Sequence, residues 1–227
     1  MLAHSPAVLV FDVNETLSDF AALRQRFNDV GAEDDLVPLW FAAVLRDGFA
    51  ITAAGGYADF ADIARDNLRQ LLSGAPWEHD RLESAISHVM SGFAELDVHQ
   101  DVPDGVRTLH AAGFRLVTMT NGSAPLTERL LTRAGVRGCF GELWDVTGPR
   151  RWKPHPRAYR YATECAGVRP DEAMLVATHP WDVDGAQRAG LRGAWLRRGT
   201  ATGAYPRSMT APALQAEDMR ELALLLR

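Results

Sequence analysis

The run VLVFD places an aspartate, Asp12, directly after four apolar residues, with Asn14 and Thr16 following in VNETL. An anion at the end of a strand fit for an interior loses hydration, and it needs partners or a reaction to perform. Taken alone it would be a cap or turn residue. Three further segments carry polar groups in the same way. FRLVTMT runs into Thr120, Asn121, Gly122 and Ser123, RRWKPHP carries Lys153, and AMLVAT runs into Thr178, His179, Trp181 and Asp182. Together they offer a carboxylate, an amide, hydroxyls, an ammonium and a second carboxylate, and that convergence makes Asp12 a candidate nucleophile. His179 adds an imidazole that can act as a base near neutral pH or simply bond a loop carbonyl. Asn121–Gly122 is also a turn signal, and Asp182 also suits the first turn of a helix.

These groups meet only if the elements carrying them bring them to one place. From Pro103 onward the chain alternates. A helix around Gly105 to Ala112 ends at Gly113, Phe114–Thr120 reads as a buried strand, and PLTERLLTRAG reads as an amphipathic helix stopped by Gly135. ELWDV is a short strand, and a helix follows over about 156–166. AMLVAT, a helix stopped by Gly190, and GAWLRR complete the pattern. Short apolar runs alternating with helices predict an α/β fold whose core is a doubly wound, Rossmann-like parallel sheet with helices on both faces. Ligands of such sheets sit beyond the carboxyl ends of the strands, where strand order reverses, and the polar segments end there. Between Leu17 and about Val98 the apolar residues recur at helical spacing, as in DLVPLWFAAVLRDGF. The expected organisation is a catalytic core of residues 1–16 and 99–227 with a helical cap, 17–98, inserted after the first strand.

Bulk properties narrow the partners. The 227 residues are 47% hydrophobic and 23% charged, with a formal net charge of −5. That balance gives no reason to expect nucleic acid or an anionic membrane as partner. RRWK and LRRG are too short to change this and are expected to solvate a loop and a strand end. Cys139 and Cys165 lack the spacing of a zinc knuckle or redox pair, and two cysteines make no disulfide scaffold, so a reducing cytoplasm is expected. No window approaches the ~18 apolar residues of a membrane span, and the first residues lack a basic and apolar leader pattern. His4, His79, His88, His99 and His110 show no metal-ligand spacing and receive no role.

FDVNETL, TNGS, WKPHPRAY and ATHPWDVDGA stand in the order and spacing of the four motifs of the haloacid dehalogenase superfamily, which the chain resembles over essentially its whole length. Within it the chain is most similar to the type II (L-2-)haloacid dehalogenases, whose SNGS-like, YKPxxRxY-like and NxWDxxGA-like segments it shares in part. The resemblance implies a hydrolase that uses neither metal nor cofactor. Asp12 attacks the halogen-bearing carbon of a small 2-haloacid, expels halide and becomes an ester, which water hydrolyses to a 2-hydroxyacid. It further implies that Lys153 keeps Asp12 ionised and that Thr16 and Asn121 orient it. Backbone N–H groups around Val13 and Gly122, with Asn14 and Thr120 beside them, hold the substrate carboxylate. Asp182 anchors Lys153 or helps activate water, and Trp40, Phe41, Tyr159 and Trp181 line the pocket. The implied partners are a small carboxylate substrate and a halide product. Relatives are often dimers, and apolar cap helices would suit a homodimer interface.

The superfamily's usual members are magnesium-dependent phosphatases, which need a carboxylate two positions after the nucleophile and an acid pair four apart in the last motif. Here those places hold Asn14, and Thr178 with Asp182, so the magnesium site reads as dismantled. A phosphatase with a rearranged site and a catalytically silent binding relative remain as alternatives. Two departures from the type II pattern concern the substrate. Phe41 follows the cap tryptophan Trp40 where the family has a halide-binding arginine, for which Arg46 or the aromatic edges could substitute. His179 stands at an asparagine position and becomes a candidate to activate the hydrolytic water.

Overall fold

The structure, a computed structural model, describes residues 5–73, 79–198 and 204–227, with His79 described in its backbone alone. His4 and the His79 side chain, which the sequence left without a role, lie outside the described residues. In chain order the elements are β1 (Val8–Phe11), α1 (Leu23–Asp29), α2 (Leu36–Ala53), α3 (Phe60–Leu72), α4 (His79–Ala94) and α5 (Val102–Ala111). There follow β2 (Arg115–Thr120), α6 (Ala124–Arg133), β3 (Phe140–Asp145), α7 (Pro156–Ala166), β4 (Ala173–Ala177) and α8 (Pro180–Arg188). The chain ends with β5 (Arg192–Leu196), β6 (Leu214–Ala216) and α9 (Met219–Leu225).

Two units result, residues 1–18 with 98–227, and residues 19–97. An isolated antiparallel bridge joins Ser18 to Val98, and His99 N–H donates to the Leu17 carbonyl at 2.9 Å. These contacts draw the boundaries to 18/19 and 97/98, away from 16/17 and 98/99.

The first unit carries a parallel sheet in the order β3-β2-β1-β4-β5-β6. β1 and β4 are buried at every position, as apolar runs covered on both faces should be. Leu9, Phe11, Val106, Leu109, Leu131, Met174 and Val176 join one core with Met219 and Leu222 of α9. The strand order reverses about β1, which has β2 on one side and β4 on the other. Register then decides what meets there. Phe11 pairs with Thr118 of β2 and Val176 of β4. Asp12, one residue on, therefore leaves the sheet between the segments that become Thr120–Ser123 and Thr178–Asp182. The sequence reading omitted β6, α9 and α1, each only three to seven residues long.

The second unit is helical. Phe93 is central to it, stacked on Phe60 with centroids 5.1 Å apart and edge-on to Phe20 and Trp40 at 5.6 and 6.0 Å. Such rings give specific geometry as well as buried area. The membrane expectation needs one correction here. α2 has the length and apolar composition of a possible span, with a mean hydropathy of 1.4. Its Trp40, Phe41 and Val44 are nevertheless buried in the helical unit, and its Arg46 and Asp47 pair at 2.7 Å.

Candidate active site

β1 is interior, so Asp12 at its end is only 4% exposed, and its oxygens must be satisfied locally. The turn after the strand supplies the first partner. Leu17 and Ser18 N–H both donate to the Val13 carbonyl, at 2.9 and 3.0 Å, curling the chain back. The Thr16 hydroxyl then donates to Asp12 Oδ2 at 2.6 Å and accepts from Thr178 N–H at 3.1 Å. With both capacities engaged, Thr16 fixes one carboxylate oxygen in place.

Lys153 holds the other. Its ammonium, fully buried, donates to Asp12 Oδ1 at 2.8 Å and to Asp182 Oδ2 at 2.5 Å. Asp182 lies in the first turn of α8, and the Tyr159 hydroxyl on α7 donates to its Oδ1 at 2.6 Å. Gly185 lets these helices meet, since a Cβ there would stand 2.6 Å from Tyr159 Oη and from Pro154 Cβ. Burial pushes the Asp12 carboxyl up, but the Lys153 charge, with the nearby His179 and the Lys153 hydrogen bond, outweighs it and holds Asp12 well below the usual carboxylate range. Burial also opposes the Lys153 ammonium, yet the Asp12 and Asp182 charges raise it above its ordinary value. For Asp182 burial dominates, and its carboxyl is raised despite Lys153.

The imidazole of His179 completes the cluster. Nε2 donates to Glu15 Oε2 at 2.8 Å, Nδ1 faces Asp12 Oδ2 at 3.6 Å, and Trp181 stacks on the ring with centroids 5.3 Å apart. Burial disfavours the imidazolium, but the close Asp12 carboxylate, the hydrogen bond to Glu15 and the charges of both lift its pKa to about 9.

Several expected roles change with these contacts. Asn121 was expected to orient Asp12 directly. Instead it accepts from Lys153 N–H at 2.8 Å and donates to the Lys153 carbonyl at 3.0 Å, so it acts on Asp12 through the lysine. Gly122 N–H, expected on the substrate carboxylate, donates to the Thr120 hydroxyl at 2.9 Å. Tyr159, expected on the pocket wall, is wholly buried with its hydroxyl committed to Asp182, so it supports the lysine's anchor. Asn14 is half-buried, with its amide nitrogen 3.4 Å from where a Cβ of Gly122 would lie. Val13 packs in the core. Within the helical unit Trp40 donates from Nε1 to the Ala64 carbonyl at 3.0 Å, and Phe41 packs edge-on to Phe20 at 4.9 Å.

Arg198, read in the sequence as solvating a strand end, is a supporting residue the sequence did not single out. Its guanidinium grips Asp101 at 2.9 and 3.0 Å and donates from Nε to the Thr16 carbonyl at 2.7 Å, while Asp101 also accepts from Met219 N–H at 2.7 Å. The pair is nearly buried, and it ties the turn bearing Thr16 to α9. Its partners lie 97 and 182 residues away, so no local spacing could signal it.

A divalent cation does not fit these donors. The two carboxylates it would need, Asp12 and Asp182, are bridged by an ammonium, and Asn14 and Thr178 contribute no charge. Among the described residues no group of three or more His, Cys, Asp or Glu side chains is arranged to hold a metal. What the cluster can do is keep one buried carboxylate ionised, oriented and flanked by an imidazole, a set suited to nucleophilic attack followed by hydrolysis.

Comparison with known proteins agrees in fold and family. Residues 6–190 match the family model described as haloacid dehalogenase-like hydrolase. The chain is similar to an (S)-2-haloacid dehalogenase of Pseudomonas putida, 28% identical over 222 residues covering 95% of this chain and 94% of that one. It is also similar to haloacetate dehalogenase H-2 of Moraxella sp. (strain B), 27% identical and covering 84% and 85% of the two chains. Among solved structures, L-2-haloacid dehalogenase from Xanthobacter autotrophicus superposes with a TM-score of 0.84 at 22% identity over 98% of each chain, a likeness of fold.

Proposed function

The chain belongs to the haloacid dehalogenase-like hydrolase family, and from that membership we propose that it hydrolyses the carbon–halogen bond of a small 2-haloacid through an ester on Asp12. The curated relatives named as haloacid dehalogenases support the substrate class. The observation that carries the reading is the Asp12 carboxylate, buried yet held as an anion by the Lys153 ammonium at 2.8 Å. A desolvated, ionised carboxylate is a better nucleophile toward carbon than a hydrated one, and no proton must leave before it attacks.

Asp12 displaces halide from the α-carbon and becomes an ester. Water then attacks the carboxyl carbon of Asp12, releasing a 2-hydroxyacid and restoring the carboxylate. Lys153 holds the charge, Thr16 fixes the rotamer, and Asn121, Tyr159 and Asp182 hold Lys153. Asn14 and the Val13 N–H receive the substrate carboxylate, with Trp181 beside it. The enzyme works in a reducing cytoplasm, in keeping with the free thiols of Cys139 and Cys165. Homodimers form through apolar cap residues such as Leu39, 57% exposed on α2.

One turnover of 2-chloropropionate in heavy-oxygen water, with enzyme in excess, tests the chemistry. Label in the peptide bearing Asp12 is the expected result, and label found in the product alone would refute the ester. Halide release should persist with a chelator present, whereas phosphate release that needs added magnesium would favour a phosphatase. A second prediction concerns Tyr159. Tyr159→Phe leaves a buried carboxylate oxygen without its donor, so stability should fall by about 1–3 kcal/mol in urea unfolding with KM little changed. A raised KM at unaltered stability would return the ring to the pocket wall.

A further inference from the structure

Glu15 is one of two non-glycine residues with positive φ among those described, at 59° in the turn directly behind Asp12. Glycine adopts that left-handed conformation freely, whereas an L side chain does so at a cost. Strain kept beside a reacting carboxylate points to a side chain in use there. The Glu15 carboxylate accepts the 2.8 Å hydrogen bond from His179 Nε2, which leaves Nδ1 facing Asp12. Trp181 covers a face of the ring, and the His179 side chain is only 15% exposed. The backbone of Glu15 is itself pinned, because its carbonyl accepts from His99 Nε2 at 3.0 Å.

On the reading that Asp12 carries the ester, we propose that Glu15 is a positioning residue that fixes His179 as the base of the hydrolytic step, and that esterification of Asp12 switches the imidazole into that role. In the free protein the ring lies between two carboxylates, Asp12 and Glu15, with Lys153 on the far oxygen of Asp12 and the His99 ring behind Glu15. Both anions stabilise the imidazolium. When a carboxylate oxygen of Asp12 bonds to the substrate carbon, the halide departs with the electron pair of the broken bond, and Asp12 loses its charge. One of the two anions holding the ring's extra proton is gone, and that proton passes to solvent. Glu15 keeps the remaining hydrogen on Nε2, so the lone pair sits on Nδ1 beside the ester, the logic by which a carboxylate sets the tautomer of a catalytic histidine.

Water then attacks the carboxyl carbon while Nδ1 takes one of its protons. The tetrahedral adduct collapses, the departing alkoxide takes that proton from Nδ1, and the other water proton, left on the Asp12 carboxyl, passes to Nδ1. The carboxylate–imidazolium pair is restored. Each turnover consumes one water and releases one hydroxyacid, one halide and one proton, which balances the reaction.

The test compares Glu15→Gly, Glu15→Gln and His179→Asn with wild type in single-turnover reactions with 2-chloropropionate, following halide by rapid quench and ester by mass analysis of the Asp12 peptide. The halide burst should stay within about twofold of wild type, since general-base help belongs to the second step alone. Ester should accumulate, and turnover should fall by ~10²-fold or more in His179→Asn and by at least ~10-fold in the Glu15 variants. Glu15→Gly should stay fully folded at the assay temperature, because glycine suits φ of 59° and offsets the lost pair with His179, so its slowness cannot be ascribed to unfolding. A base acts in its neutral form, and the Glu15 charge favours the protonated one. Glu15→Gln should therefore move the acid limb of the hydrolytic step to lower pH, which a purely structural role would not do. An unchanged hydrolytic step and limb, or a burst that falls in parallel with turnover, would overturn the assignment to Glu15 and His179 alone. A wild-type protein giving no halide burst would instead overturn the dehalogenase reading on which it rests.

Discussion

Asp12→Asn should release halide from 2-chloropropionate at least ~10⁴-fold more slowly than wild type, the scale of loss when a covalent nucleophile is removed. The amide is nearly the same shape and its one oxygen can still accept from Lys153, but that oxygen carries no charge to displace a halide. Among the described residues no other carboxylate near Asp12 is placed to take over. Asp182 is wholly buried behind Lys153, and Glu15 is turned toward His179. The fold should survive, because Lys153 keeps its 2.5 Å pair with Asp182. Stability should drop by about 1–3 kcal/mol, as when one charged partner of a buried hydrogen bond is lost. The measurement is halide release over hours beside a urea unfolding curve. Folded protein retaining more than a hundredth of wild-type activity would mean that another group makes the bond to carbon.

The same substitution predicts an effect on His179. With Asp12 neutral, one of its two anionic neighbours is lost, so the imidazole pKa should fall from about 9 toward its ordinary range. A group whose folded pKa is raised adds stability that is fully present below its unfolded pKa and is lost as pH rises through the folded value. In wild type that window runs from about 6.5 to about 9, and in Asp12→Asn it should narrow. Titration of the ring by NMR checks the shift directly.

The parts of this site that the sequence discloses are those in which strand pattern and residue type coincide. β1 and β4 are continuous apolar runs because parallel strands are covered on both faces, and the residues ending them are polar because the chain there turns outward to the ligand edge. Asp12, Thr16, Lys153 and Asp182 could therefore be picked out and do meet in space. What was illegible depends on partners that type and order do not encode. An amide bonds a backbone as readily as a carboxylate, so nothing in TNGS says that Asn121 spans Lys153 rather than touching Asp12. A tyrosine serves equally as pocket wall or buried donor, and only the close approach of α8 at Gly185 decides for Tyr159. Arg198 finds Asp101 across 97 residues of chain. The left-handed turn at Glu15 was hidden because its side chain is not one that signals such a conformation. β6 has three residues, too few for any periodicity to register.

Lys153→Met should damage the fold more than Asp12→Asn does, and it should reverse the sign of the Asp12 contribution to the pH dependence of stability. The ammonium lies between two buried carboxylates, and without it Asp12 and Asp182 face one another uncompensated. Removing one member of a buried charge cluster costs about 3–5 kcal/mol, because the charges left behind keep their desolvation penalty. In wild type the Asp12 carboxyl is held below its ordinary range, so its contribution to stability is present at neutral pH and is lost only as pH falls through that low folded value. In the variant, burial and like charge lose their main opponent at both carboxyls, and each is pushed up from its wild-type value. A carboxyl whose folded pKa is raised binds more protons folded than unfolded, so stability then falls as pH rises through the unfolded carboxylate pKa and toward the folded one. Melting temperatures across pH 5 to 9 should therefore decline more steeply for Lys153→Met than for wild type, in which Asp12 contributes no such loss. Halide release should drop by at least ~10³-fold at neutral pH, and the remainder should climb with pH as the raised Asp12 carboxyl ionises. A variant whose stability and residual activity kept the wild-type pH dependence would show that the ammonium does not govern the charge on Asp12.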